Sequence, residues 1–456
     1  MTALIKILQL ILALSIIVGV HEFGHFLFAK LFGVRVDKFY LFFDVGGRKL
    51  FSTRNNPLFR RLVPASERWE TDYGIGWLPL GGYCKIAGMI DESLDKSVVG
   101  TEPQSWELRS KRPWQRLLVM AGGVLFNFLL AILLFIHILA IWGDDHLDNG
   151  RTALYAEEGM IAYDMGFRSG DRILSLDGTD PRWFDAVQSY IARHDVGRVS
   201  VLRGADTLDI YIDGNRTGDL LRSSVFVPDL PFVIDLPPEE ELESPNRALL
   251  ASGDHILALN GEPVPSFHEG KAWLAAHPDT LVEATLLRGS DTLRQTLRVD
   301  PEGHLGVLVS SSLAWEALPG FTHLDYGYWE AYPAGLRKAW ETVSGYVLDL
   351  KLIFTPRTKA YQSVGSLGTM AMVMPASWNW EYFLTILALL SVMLGVMNLL
   401  PIPALDGGHI VFVLYEMISG RKPSDRFMMV AQMVGMALLL LLMIIAFGND
   451  FIHLTQ

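Results

Sequence analysis

The residues best placed to do chemistry are His21-Glu22-Phe23-Gly24-His25, an H-E-x-x-H pattern. On a helix, positions i and i+4 share a face, so both imidazoles can converge on one ion while Glu22 reaches its bound water. That chemistry is metal-assisted hydrolysis, with zinc as the expected ion. A catalytic zinc takes three protein ligands and keeps a fourth position for water. The best third ligand is Asp406, inside Asn398-Leu399-Leu400-Pro401-Ile402-Pro403-Ala404-Leu405-Asp406-Gly407-Gly408-His409. Two prolines break the helix there, and the paired glycines permit a turn that can aim the carboxylate. His409 competes as the third ligand, and Asp406 could instead cap the following helix.

The element that carries the motif is an apolar run from Leu4 to about Phe28. Two histidines and a glutamate are costly in hydrocarbon unless they have partners, and a metal ion satisfies both imidazoles at once. A signal peptide does not account for the run, which lacks an Ala-x-Ala site and stays apolar beyond the polar cluster. Three more apolar runs follow: Leu117–Trp142, about Tyr382–Leu400 and about Phe427–Phe447. Each is long enough to cross a bilayer. Four spans place both termini on one side. Arg60, Arg61, Lys111, Arg112 and Arg116 crowd the first loop, and Arg421, Lys422 and Arg426 follow the third span. The positive-inside rule puts those loops in the cytoplasm.

Composition agrees. Charged residues make up 19% of 456 positions, below the roughly 25% of soluble proteins. Residues 143–330 hold 32 acidic against 14 basic residues, within a chain of net charge −12. No sustained basic stripe exists for phosphate, which excludes nucleic-acid binding. The single cysteine, Cys84, excludes a disulfide framework, a Cys-rich zinc module and a C-x-x-C redox pair.

Within the acidic part, two segments read alike: Gly170-Asp171-Arg172-Ile173-Leu174-Ser175-Leu176-Asp177-Gly178 and Gly253-Asp254-His255-Ile256-Leu257-Ala258-Leu259-Asn260-Gly261. Alternating apolar residues mark a half-buried strand, and the closing Asp-Gly or Asn-Gly marks a tight turn. Each is followed by a helical stretch and another strand. The pattern resembles the PDZ fold, and the repeat implies two tandem PDZ-like domains.

The first-span H-E-x-x-H, the N-x-x-P-x-x-x-x-D-G at the third span and the PDZ-like pair between the second and third spans together resemble the site-2 protease family of intramembrane metalloproteases. Two PDZ-like domains are most similar to the regulator-of-sigma-E protease type of Gram-negative bacteria. Gly74–Lys85 and Ala121–Phe128 are similar to further family stretches. The resemblance implies Zn2+ held by His21, His25 and Asp406, with Glu22 as catalytic base. It also implies a membrane-associated β-hairpin or sheet within Val34–Met89, whose edge takes up the substrate as an added strand. Candidate substrate-binding residues are Asn398, Asn127, Pro401, Pro403, Gly46 and Gly47. Residues 332–354 read as an amphipathic interfacial helix that could gate access.

The expected architecture is a multi-pass α-helical membrane protein with four transmembrane helices, the β region and two tandem PDZ-like α+β domains. The first span occupies 1–32, the β region 33–112 and the second span 113–142. The PDZ-like domains occupy 143–220 and 221–315, an amphipathic segment and linker 316–374, and the last two spans 375–456. Expected partners are the lipid bilayer and single-pass membrane proteins of anti-sigma-factor type or remnant signal peptides, with the PDZ-like pair as a size filter. The expected location is the bacterial inner membrane, with the PDZ-like domains and both termini periplasmic. The alternative function is a non-catalytic PDZ membrane scaffold, which metal content would distinguish.

Overall fold

The fold is that of a computed structural model, which describes residues 2–54, 56, 71–89, 102–236, 244–309, 311–363 and 367–455. Arg60 and Arg61 lie outside the described residues. The chain runs α1 (Thr2–Leu31), β1 (Val36–Phe43), β2 (Lys49–Ser52), β3 (Asp72–Gly76), β4 (Leu78–Ile86) and α2 (Pro113–Trp142). It continues through β5 (Arg172–Leu176), α3 (Phe184–His194), β6 (Arg198–Arg203), β7 (Asp206–Tyr211), β8 (His255–Leu259), β9 (Glu262–Pro263), α4 (Phe267–Ala275), β10 (Leu281–Arg288) and β11 (Asp291–Arg298). The last elements are α5 (Ala331–Ile353), α6 (Trp380–Asn398), α7 (Asp406–Ser419) and α8 (Asp425–Thr455). The chain divides into two compact units, 1–143 with 325–354 and 361–456, and 144–324 with 355–360.

In the first unit, Ala3–Leu31, Pro113–Trp142, Trp380–Asn398 and Arg426–Asp450 are each long and apolar enough to cross a membrane. Local chemistry sets their ends. Pro113 opens α2, where it gives up no hydrogen bond, and Gln115 Oε1 accepts the Arg112 N–H at 3.1 Å. Asn379 Oδ1 accepts the Tyr382 N–H at 2.9 Å to start α6. Leu10, Ala13 and Ile17 of α1 pack on Phe383, Leu387 and Leu390 of α6, while Ala131 and Phe135 of α2 pack on Ala388, Val392 and Val396. Helix α5 lies along α2 through Ala331 and Ala339, and its far side exposes Leu336, Trp340 and Val347.

The β region is a four-stranded sheet in the order β2-β3-β1-β4. Strands β1 and β3 are parallel, and β1 and β4 antiparallel, with Phe39 opposite Cys84 and Tyr40 opposite Tyr83. Strand β4 is therefore an edge, and among the described residues no strand pairs with its outer side.

In the second unit, β5-β6-β7 form one antiparallel sheet beside α3, and β9-β8-β10-β11 another beside α4. Asp171 and Asp254 are both fully buried, and each carboxylate takes two guanidinium N–H groups, from Arg203 at 2.8 and 2.7 Å and from Arg288 at 2.7 and 2.6 Å. Asp177 and Asn260 close the first strand of each sheet with φ of 48° and 49°, and glycines follow both. The two halves are built on the same plan.

Candidate metal centre

Helix periodicity puts His21 and His25 on one face of α1, and both are buried, at 7% and 6% exposure. Their Nε2 atoms stand 3.2 Å apart, with the rings edge to face. Asp406, the first residue of α7, brings Oδ2 to 3.1 Å from His21 Nε2 and 3.3 Å from His25 Nε2. Despite those neighbours, this buried oxygen has no hydrogen bond of its own. Three lone-pair donors face a common point. Ligands of a tetrahedral zinc at about 2.0–2.1 Å lie about 3.3 Å from one another, close to the separations found, so the donor set fits that ion. His409 lines the same cavity but is outside this cluster of donor atoms.

Glycines make the convergence possible. A Cβ on Gly407 would lie 2.2 Å from the Leu400 carbonyl oxygen, and one on Gly408 would lie 2.4 Å from Pro403 Cα. Helix α7 can start hard against the Pro401–Pro403 loop only because those side chains are absent. Close approach of helices through small residues does the same for α1 and α2. A Cβ on Gly24 would lie 2.2 Å from Gly122 O, and one on Gly123 would lie 2.5 Å from both His21 Cε1 and His25 Nε2.

The approach lets α2 hold the ligand rings. His25 Nδ1 lies 2.8 Å from Val119 O. A carbonyl only accepts, so Nδ1 carries the proton and neutral His25 offers its Nε2 lone pair to an ion. His21 Nδ1 lies 3.2 Å from the side-chain amide of Asn127. Val119, Gly123 and Asn127 repeat every four residues, forming one stripe along α2 against the two imidazoles.

A cavity of about 680 Å³ opens beside the cluster and is lined by Glu22, Asn398, Asp406 and the β4 residues Gly81, Gly82 and Tyr83. Asn398, the last residue of α6, brings its Nδ2 to 3.3 Å from His21 Nε2. Lys38, Asp44 and Tyr83 also line it. Lys38 Nζ and the Tyr83 hydroxyl both donate to Asp44, each at 2.8 Å. Burial and the bond to Asp44 push the Tyr83 phenol far up, so it stays a donor. A smaller cavity of about 90 Å³ shares Met89, His409 and Gln432 with the first. It is lined by the Arg116–Glu416 ion pair, 2.5 Å long.

Other sequence candidates fall elsewhere. Asn127 is fully enclosed at 0% exposure, with its side-chain amide against His21. Gly46 and Gly47 sit in an exposed turn between β1 and β2 and have left-handed φ of 68° and 72°; they do not line the cavity. Pro401 and Pro403 shape the loop before Asp406 without lining the cavity. Sequence reasoning missed Lys38, Asp44 and the buried Gln432. It also passed over Gly81-Gly82 as a lining pair, although the segment was marked as a motif.

The chain matches the model for Peptidase family M50 over residues 9–442. It is 30% identical to a Neisseria meningitidis protein provisionally named as a zinc metalloprotease, across 97% of this chain and 98% of that protein. It is 29% identical to a regulator of sigma-E protease of Salmonella typhimurium, across 97% and 98%. It is also 29% identical to a Yersinia pestis protease, the two chains matching along 100% of each. With four membrane-length apolar helices among the described residues and a donor set that fits zinc, the chain belongs to Peptidase family M50, the site-2 protease family, and is a membrane zinc metalloprotease.

Proposed function

We propose that the chain hydrolyses peptide bonds within the membrane-spanning segments of single-pass membrane proteins. The observation that carries this is the convergence of His21, His25 and Asp406 in a cavity walled by β4, an edge strand of its sheet among the described residues. His21 and His25 Nε2 and Asp406 Oδ2 would hold the ion. Zinc, when bound, supplies Lewis acidity that polarises a carbonyl and makes water acidic near neutral pH. Glu22 takes the proton of the attacking water and passes it to the leaving amine nitrogen. Asn398, at the cavity wall, hydrogen-bonds the substrate backbone beside the scissile bond.

A transmembrane helix hides its peptide bonds in i→i−4 hydrogen bonds and must unwind before cleavage. The freed N–H and C=O groups need partners at that depth, and the β4 edge with Gly81 and Gly82 supplies them. Substrates are anti-sigma-factor-type proteins already shortened outside, or remnant signal peptides. The two Gly-Asp halves are PDZ-like domains that exclude substrates with bulky exported domains. The protein sits in the bacterial inner membrane, with these domains and both termini periplasmic.

The test is cleavage of model single-pass substrates in detergent and by co-expression. Glu22→Gln should abolish cleavage while zinc stays at one per chain, and short exported domains should be cut in preference to long ones. Persistent cleavage by Glu22→Gln would overturn the assignment of the base. Equal cleavage at all exported lengths would overturn the filter.

A further inference from the structure

We infer that Asn127 is the outer partner of His21: its Oδ1 accepts a hydrogen bond from His21 Nδ1–H and thereby turns the Nε2 lone pair toward the ion. This rests on the ligand set proposed above. Asn127 Nδ2 lies 3.2 Å from His21 Nδ1, and Oδ1 is buried without a hydrogen bond. The two ends of an amide fill nearly the same space, so chemistry decides which one faces the ring.

The two choices differ sharply. An Nδ2 donor requires an unprotonated Nδ1, so neutral His21 would carry its proton on Nε2 and offer no lone pair there. An Oδ1 acceptor requires Nδ1–H, which frees Nε2 and gives the orphaned oxygen a donor. The neighbouring ligand follows the second pattern, since Val119 O can only accept from His25 Nδ1. Ligating histidines generally give their other N–H to such a partner, which fixes tautomer and ring angle.

The position is held for this task. The Ser391 hydroxyl donates to the Asn127 backbone oxygen at 2.8 Å, and Ser391 and Asn127 are both fully buried. Gly123, on the same stripe, leaves room for the rings. Asn127 is thus a positioning residue that acts through His21.

The experiment measures zinc affinity of the full-length detergent-solubilised protein by chelator competition, alongside nitrogen NMR of labelled histidines. Asn127→Leu keeps the volume and removes the acceptor, so it should weaken zinc binding by about 10- to 100-fold. Asn127→Asp keeps an acceptor and should restore binding to within a few-fold of the unmodified protein. In the unmodified, zinc-free protein at neutral pH, His21 should carry its proton on Nδ1. Unchanged affinity in Asn127→Leu, equal loss in both variants, or a His21 proton on Nε2 would each overturn the inference. The NMR reading holds even if Asn127→Leu fails to fold. His21→Ala separates the two levels: if it leaves zinc affinity unchanged, the ligand set itself is wrong; if it abolishes binding, only the role of Asn127 is at stake.

Discussion

Gly24 and Gly122 meet backbone to backbone: a Cβ on Gly24 would lie 2.2 Å from the Gly122 oxygen, and one on Gly122 would lie 2.6 Å from the Gly24 oxygen. Gly24 stands beside His25 in α1, and Gly122 stands beside Gly123 in the α2 stripe. The contact therefore sets how far the ligand rings lie from Val119 and Asn127. Packing between two spans and the geometry of the metal centre are one problem.

Gly24→Ala should force α1 and α2 apart, because the obstacle is backbone and cannot rotate away. Overpacking of this kind costs about 1–3 kcal/mol. The expected result is a lower melting temperature in detergent together with reduced zinc content.

Gly123→Ala should separate stability from metal binding. Its Cβ would meet His21 Cε1 and His25 Nε2, both at 2.5 Å. The imidazoles must tilt away from their shared point, so zinc affinity should drop by about tenfold or more. The melting temperature of the zinc-free protein should change less than in Gly24→Ala. Equal effects on both quantities would show that the methyl is absorbed by backbone movement.

The sequence carried the spacing of His21 and His25, and the proline-glycine punctuation that marks Asp406, because those are local patterns. It did not carry what depends on pairing between distant segments. Val119 acts through a backbone carbonyl, which has no side-chain signature. Asn127 reads as a substrate contact because a polar residue in an apolar span must face something, and only the Gly24–Gly122 crossing shows that it faces His21. Gly46-Gly47 and Gly81-Gly82 look alike as sequence. The first pair lies in an exposed turn between β1 and β2, and the second lies on the edge strand at the cavity. The alternation and turn residues of the two Gly-Asp segments were legible, whereas the arginines that neutralise their buried aspartates, some 30 residues downstream, were not.

Those arginines give a paired prediction. Arg288→Met leaves Asp254 fully buried, with the Ala251 N–H but no guanidinium to meet its charge. Arg288 is partly exposed, so water screens the loss, and the melting temperature should fall by less than it would for a fully enclosed pair. Adding Asp254→Asn should recover much of it, because an unpaired charge costs more than an unpaired amide. Thermal unfolding of the four proteins in this double-mutant cycle measures the coupling. The same cycle at Asp171 and Arg203 should give a coupling of similar size. A coupling near zero in both would mean that the backbone N–H groups of Arg168 and Ala251, each 2.9 Å from its aspartate, are enough to hold Asp171 and Asp254.

Asp229 contributes to the pH response of the second unit. Burial pushes its carboxyl from 3.8 up to about 6, with the Glu269 and Glu157 charges adding to the shift and a Ser266 hydrogen bond opposing it. Its Oδ1 is buried without a hydrogen bond, which leaves the ionised form poorly compensated. Because the folded state holds this proton more tightly than the unfolded chain, the contribution to stability is largest below pH 3.8 and is lost as pH rises through about 6. Asp229→Asn removes the ionisation and keeps the shape. The variant should melt higher than the parent at pH 7.5, and the difference should shrink as pH falls through the same window. A difference that stays constant from pH 4 to pH 8 would show that the carboxyl is not the group responsible.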